Sequence, residues 1–250
     1  MGEAIGVNAR SASEISDQAG QGSLAECLWA AADVTLAVGA IAALAPNAWL
    51  TLLVGATFLG ATWLLVWRHD DACVRRSGLA LGGLVIPGSL DLRGLAHDAI
   101  VATAWAMAIA SLIGVPYFFG WRAFWEPRLS FSLVVRPGEL ADEVLGQVLV
   151  IALPEEAFYR GYLQSRLDET WRPGWTILGA RVGPGWLVGA AIFAVGHIVT
   201  LPLPTRLAVF FPALVFGWLR ARTGGIGASV VFHAFCNVYS QMLGRGYGVY

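Results

Sequence analysis

Two adjacent glutamates and an arginine interrupt an apolar stretch in the second half of the chain, at Glu155, Glu156 and Arg160. A charged residue in a membrane helix costs roughly 2.5–3.5 kcal/mol, so we expect each of them to have a partner or a function. Glu156 and Arg160 are four positions apart, share a helix face and can form an ion pair. Glu155 lies about 100° around the helix from Glu156 and remains available to another partner. A simple ion pair at the membrane interface is the alternative.

Two further apolar stretches carry histidines. His197 follows Phe193 and Gly196 in the run WLVGAAIFAVGHIV, and Gly196 leaves room there for another helix or a substrate backbone. His233 and Asn237 are four positions apart in VVFHAFCNVY, so both point to one helix face. Packing is the alternative in each stretch. In that case His197 would be a buried histidine with its hydrogen bonds made, and His233 and Asn237 would form interhelical hydrogen bonds of about 0.6 kcal/mol each.

Together these side chains form a set that could hydrolyse an amide. A glutamate and a histidine can jointly activate a water molecule, one taking its proton while the other orients or relays it. A histidine and an asparagine can donate hydrogen bonds to the oxyanion that develops on an attacked carbonyl. Two histidines and a glutamate also match the ligand count of a catalytic zinc, and the spacing leaves both chemistries open. The HExxH, GxSxG and GxGD patterns of other proteases do not occur in the sequence.

The composition indicates a membrane protein. Of the 250 residues, 57% are hydrophobic and only 13% are charged, about half the charged share of a soluble domain. The mean hydropathy is +0.64. A soluble protein with several buried helices is the alternative. The net charge of −1 gives no sign of nucleic-acid binding. The cysteines, Cys27, Cys73 and Cys236, are too widely spaced to indicate a disulfide framework or a thiolate metal site.

Helices must position the polar residues, because about 20 apolar residues are needed to cross a bilayer. The predicted fold is all-α, a polytopic transmembrane bundle of about seven to eight helices. The predicted organisation is a flexible polar tail at 1–23, membrane helices and connectors at 24–138, the helical core that carries the motifs at 139–243, and a tail at 244–250. The helices are predicted at 24–45, 48–67, 99–119, 139–168, 186–200, 207–219 and 226–243. Within the connector 68–98, residues 79–95 could lie flat in the membrane interface.

The basic residues predict the orientation. All sixteen are arginine, a bias that we attribute to a GC-rich bacterial genome. With alternating spans, ten arginines fall on the side of the N-terminus and five on the other. Basic residues concentrate in cytoplasmic loops. We therefore predict a multi-pass protein of the inner (plasma) membrane, surrounded by membrane lipid, with its N-terminus in the cytoplasm.

In order and spacing, the polar residues resemble the motifs of the CPBP family of intramembrane proteases, also called the CAAX protease and bacteriocin-processing or Abi family. The resemblance covers residues 139–243 and includes the stretch FGWLRARTGGIGASVVFHAFCN. It implies a bundle whose motif residues face a cavity open to the membrane. The motif EExxxR matches Glu155, Glu156 and Arg160, FxxxH matches Phe193 and His197, and HxxxN matches His233 and Asn237.

The resemblance also implies a role for each motif. Family members are described both as metal-independent glutamic proteases and as metalloproteases. We favour the glutamic mechanism, which needs no cofactor, because the HxxxN pair suits oxyanion donation; zinc held by Glu155, His197 and His233 is the alternative. The implied roles are water activation by Glu155 and His197, oxyanion binding by His233 and Asn237, and support of the helix or substrate binding by Glu156 and Arg160, with Phe193 as a further supporting residue.

The implied reaction is endopeptidase cleavage near the C-terminus of a membrane-attached protein. Eukaryotic relatives cleave prenylated CAAX proteins, whereas bacterial relatives include bacteriocin-associated proteins and proteases that cut C-terminal sorting tails. We therefore predict a role in maturation or sorting-tail processing. A non-catalytic membrane scaffold and a proton-coupled transporter that uses Glu155 and His197 as a relay are the alternatives. Complete motifs argue against the scaffold, and the lack of inverted repeats argues against the transporter.

Overall fold

A computed structural model describes residues 4–86, 88 and 90–249; of residues 4–23 and 137 it describes only the backbone. The described part of the chain is predominantly helical, with almost no strand, which confirms the predicted all-α bundle of about seven to eight helices. Two 3₁₀ turns, Leu81–Gly83 and Pro204–Val209, and one small hairpin accompany the helices. The helices are α1 (Ala4–Leu44), α2 (Asn47–Trp67), α3 (Asp71–Arg76), α4 (Leu92–Trp125), α5 (137–170), α6 (Pro184–Thr200), α7 (Phe210–Thr223) and α8 (Gly227–Gly246).

Three segments are long and apolar enough to cross a membrane by length and composition: Leu24–Leu44 of α1, and the whole of α2 and α4. Their apolar side chains lie largely on the outside of the bundle. Trp29 is 70% exposed, Leu44 84% and Leu112 71%. So much exposed apolar surface requires a non-aqueous environment, which acyl chains supply. The protein is therefore a membrane protein.

Two helices of the first half extend beyond their predicted ends. α1 begins at Ala4 and so passes through the segment predicted as a flexible tail, whose mobility stays a prediction. α4 begins at Leu92, seven positions before the predicted start at 99. The reason is a cap, because the Asp91 carboxylate accepts a hydrogen bond of 3.0 Å from the backbone N–H of Arg93. The sequence prediction placed this start too late because it relied on hydropathy alone.

The connector before α4 is not the flat interfacial segment that the sequence suggested for residues 79–95. Gly78 and Gly82 have φ values of 65° and 64°, which turn the chain sharply. Leu79 and Ile86 are 0% and 2% exposed, so the connector anchors in the core. A Cβ on Gly161 of α5 would lie 2.7 Å from the Leu79 side chain. The connector therefore packs directly on the helix that carries the glutamates.

α5 runs without a break through residues 137–170, close to the predicted 139–168. Pro137 begins it, in keeping with the preference of proline for the first helical turn. Two stretches, Gln147–Ala152 and Ala157–Gln164, have π-helical hydrogen bonding, and Leu153–Glu156 between them is α-helical. Such wide turns occur often at functional sites. The glutamates thus lie on a short α-helical segment between two widened ones.

The motif-bearing helices meet around α5 and α7. α6 and α8 each pack against both of these helices, and α6 also packs against α1. A hairpin of β1 (Trp175–Ile177) and β2 (Ala180–Val182), which the sequence analysis did not predict, joins α5 to α6. Trp218 of α7 donates a hydrogen bond of 2.8 Å from Nε1 to the carbonyl of Ile177. The hairpin therefore ties the α5–α6 connection to α7.

Candidate active site

Glu156 is the point at which α5 and α8 are joined. Its side chain is fully buried, with Oε1 3.2 Å from Nη1 of Arg160 and 2.9 Å from Nδ1 of His233. The ion pair expected from the spacing of Glu156 and Arg160 therefore forms. Arg160, only 2% exposed, also donates from Nη2 to the carbonyl of Ala213 on α7 at 3.2 Å. These contacts connect three helices through one buried cluster.

Aromatic rings surround the Arg160 guanidinium. Its Cζ lies 4.4 Å from the ring centroid of Phe193 and 5.1 Å from that of Phe216. Both distances fall within the range of cation–π interactions. The Phe216 ring also stacks on His233, with centroids 4.7 Å apart and planes 12° apart. Phe193 thus lies where it can support the cluster through the arginine.

Glu155 lies in a different environment from its neighbour. With Tyr159, Gly196 and His197, it lines a cleft of about 450 Å³ between α1, α2, α5 and α6. Its Oε2 is buried and has no hydrogen-bond partner among the described residues. The residue as a whole is only partly buried, so the rest of the carboxylate can be reached from the cleft. Apolar side chains form much of the remaining wall, including Val38, Val54, Phe58, Val150 and Ile151.

His197 uses one ring nitrogen within its own helix. Nδ1 lies 2.9 Å from the carbonyl oxygen of Phe193. Because a carbonyl only accepts, Nδ1 carries the hydrogen, and Nε2 of the neutral ring is left as an acceptor. A Cβ on Gly196 would stand 2.8 Å from the Tyr159 hydroxyl. The glycine before His197 therefore leaves room for this hydroxyl, another polar group of the cleft.

His233 lies between the two glutamates. Its Nδ1 is 2.9 Å from Oε1 of Glu156, and its Nε2 is 3.9 Å from Oε2 of Glu155. Since a carboxylate only accepts, Nδ1 carries a hydrogen, and Nε2 is an acceptor in the neutral ring but a donor in the imidazolium. Only the doubly protonated ring could donate from Nε2 to an oxyanion.

Asn237 follows His233 by one turn of α8. Its Nδ2 donates a hydrogen bond of 2.9 Å to Oε1 of Gln147 on α5. The described residues that line the cleft include neither Asn237 nor His233. The structure thus brings Glu155 and His197 together in the cleft. His233 contacts Glu155 from outside the lining of the cleft. Asn237 is bonded to Gln147, a residue that the sequence did not lead us to predict. The sequence could have indicated Gln147, because it is the one polar side chain in the apolar run 144–153.

A zinc ion would need Glu155, His197 and His233 as a group of ligands. Among the described residues, no three His, Cys, Asp or Glu side chains are grouped so that they could hold a metal ion. In this arrangement the three side chains are not grouped as zinc ligands, and metal independence stays a prediction.

Comparison with known proteins identifies the second half of the chain. Residues 138–239 match the family model described as Type II CAAX prenyl endopeptidase Rce1-like. The match covers less than half of the chain but contains all three motifs, from Glu155 to Asn237. It confirms the resemblance to the CAAX protease family and supports a hydrolase of the CAAX endopeptidase type. No curated protein and no solved structure matches the chain.

Proposed function

We propose that this Rce1-like membrane protein is an intramembrane endopeptidase that cleaves membrane-attached proteins near their C-terminus with a water activated by Glu155 and His197. One observation carries the proposal. Glu155 lines the same apolar cleft as His197, whereas Glu156 is paired with Arg160 and His233. A carboxylate beside an apolar cleft, with one oxygen that lacks a hydrogen bond, is costly, and a reaction that needs a base at that point accounts for it.

In the proposed reaction, the Glu155 carboxylate takes a proton from a water molecule that hydrogen-bonds to Nε2 of His197. The resulting hydroxide adds to the carbonyl carbon of the scissile peptide bond and forms a tetrahedral oxyanion. The C–N bond then breaks, and the departing nitrogen receives the proton from Glu155. The products are a new carboxyl terminus and a released amine, and the enzyme side chains return to their starting state.

The oxyanion needs hydrogen-bond donors, and α8 offers two. The Nδ1 of His233 is directed to Glu156 and its Nε2 lies on the side of Glu155, so a doubly protonated ring would donate from Nε2. Asn237 has a second N–H in addition to the one that it donates to Gln147. Donors held in place before the reaction stabilise developing charge most effectively. We assign both groups to the oxyanion, which requires the substrate carbonyl to reach past Glu155 towards α8, beyond the lining of the cleft. Glu156 and Arg160 are assigned to the support of His233.

The position of the cleft favours a substrate that is attached to the membrane. Two of its walls come from α1 and α2, which are long and apolar enough to cross the bilayer. A substrate that is itself held in the membrane can enter between such helices without first leaving the lipid. We assign the protein to maturation or sorting-tail processing in a bacterial inner membrane, with the N-terminus in the cytoplasm as the arginine distribution suggests.

A cleavage assay tests the proposal. The purified protein, in detergent or lipid discs, is incubated with membrane-anchored proteins that carry a C-terminal tail, and the products are mapped by mass. We expect one cut close to the C-terminus, which persists after exhaustive chelation. Loss of cleavage on chelation and recovery on adding zinc would overturn the metal-independent mechanism. No cleavage of any tailed substrate by a folded protein would count against the endopeptidase itself.

A further inference from the structure

Gln147 and Asn237 form a side-chain contact between α5 and α8 at the edge of the candidate active site. The amide nitrogen of Asn237 is 2.9 Å from the amide oxygen of Gln147, and both side chains are half-buried. Gln147 is the only polar side chain in the run 144–153. A polar amide in such a run is unfavourable unless it has a partner, and Asn237 is the partner that the structure provides.

The backbone of α5 is built so that this contact can form. Gln147 and Glu156 are nine positions apart, which is about 2.5 turns of an ideal α-helix and would place them on opposite faces. Both nevertheless contact α8, through Asn237 and His233 respectively. The π-helical stretch Gln147–Ala152 lies between them, and its i→i+5 hydrogen bonds turn the chain by a smaller angle per residue. The wide turns therefore bring Gln147 to the side of α5 that faces α8.

The contact has a consequence for the amide of Asn237. A carboxamide presents either its NH₂ group or its oxygen in a given direction, and a rotation of about 180° exchanges the two. With Gln147 presenting Oε1, the Asn237 amide directs one N–H to α5. The second N–H then remains for another acceptor. In the opposite orientation the amide oxygen would face a developing oxyanion and repel it.

We propose that Gln147 is a positioning residue, which holds the Asn237 amide in the orientation that donates to the oxyanion. The inference rests on the proposed function. This role accounts both for a polar residue in the apolar run 144–153 and for the π-helical stretch Gln147–Ala152, which turns Gln147 towards α8. Gln147 itself is not among the residues that line the cleft.

A double-mutant cycle tests the proposal. Gln147→Leu keeps the approximate size and removes the acceptor. We expect it to lower kcat by about five- to thirtyfold, the effect of losing one to two kcal/mol, with KM and melting temperature nearly unchanged. In the Asn237→Ala background, Gln147→Leu should have no further effect on kcat, because the amide that it orients is gone.

Gln164→Leu is the matched control. Gln164 is also on α5, and it donates to a neighbouring backbone at 3.1 Å, the carbonyl of Gly217. It is buried away from the cleft, so its replacement should lower the melting temperature and leave kcat of the folded enzyme unchanged.

Three outcomes would overturn the positioning role. If Gln147→Leu keeps the wild-type kcat while Asn237→Ala lowers it, Gln147 does not position the Asn237 amide. The proposed function would be unaffected by that result. An equal loss from Gln147→Leu with and without Asn237 shows that Gln147 acts independently. Unchanged kcat in Asn237→Ala removes the oxyanion role of Asn237 and with it any function for its orientation.

Discussion

The Arg160→Ala change should destabilise the protein more than the loss of an exposed ion pair would, because the ion pair of Arg160 with Glu156 is buried. Arg160 and Glu156 are 2% and 0% exposed, so the change leaves a carboxylate buried without its cation. Breaking a buried pair in this way typically costs about 3–5 kcal/mol. The cation–π contacts with Phe193 and Phe216 and the hydrogen bond to Ala213 are lost as well. We therefore expect a loss at the upper end of that range.

Thermal unfolding in detergent, read alongside the yield of folded protein, measures this effect. The control is Arg136→Ala, because Arg136 and Glu139 form an ion pair in which both side chains are more than half exposed. Exposed pairs contribute about 0–1 kcal/mol, so that variant should unfold close to the wild-type temperature. The double change Glu156→Gln with Arg160→Gln removes both charges and should recover yield better than activity. An Arg160→Ala enzyme that loses activity at unchanged stability would refute the structural role and make the arginine a substrate-binding group.

Three other changes have distinct expected results. Asn237→Ala should lower kcat by roughly 10²–10³ with little change in KM, as for other oxyanion donors; a change in stability alone would contradict the assignment. Phe193→Leu should lower the melting temperature by removing a cation–π contact of up to about 2 kcal/mol, and an unchanged temperature would contradict that contact. Burial raises the pKa of Asp168, in the last turns of α5, from 3.8 to about 6 against the opposing influence of Arg220. A raised carboxyl pKa means that the folded state holds the proton more tightly, so its contribution to stability grows as the pH falls from above 6 towards 3.8 and is lost as the pH rises. The melting temperature of the wild type relative to Asp168→Asn should therefore fall as the pH rises from about 4 to about 7, and a constant difference would contradict this.

The motifs could be predicted because polar residues in apolar helices are conspicuous. Glu156 and Arg160 lie one turn apart within one helix, so their ion pair followed from spacing alone. The separate environment of Glu155 followed from the same geometry. The roles of Glu155, His197, His233 and Asn237 stay predictions, because geometry does not measure a reaction.

Contacts between helices could not be predicted from the spacing of residues in the sequence. The bond between Glu156 and His233 joins residues 77 positions apart, and periodicity within a helix carries no information about it. Gln147 was missed because a regular period of 3.6 residues places it opposite Glu156, and only the π-helical stretch changes that phase. The hairpin was missed because its strands have three residues each and give no alternating pattern long enough to detect.

The most direct test of the central claim is the rate at which a Glu155→Gln enzyme cleaves a tailed membrane substrate, with the cut site mapped by mass. The substitution keeps the shape of the side chain and removes the base. Glu139→Gln is the matched control, because Glu139 lies on the same helix in an exposed ion pair. We predict that Glu155→Gln folds normally and cleaves at least about 10²-fold more slowly, the minimum typical of a lost general base, whereas Glu139→Gln cleaves at the wild-type rate. Full activity of Glu155→Gln at the same cut site would contradict water activation by this carboxylate.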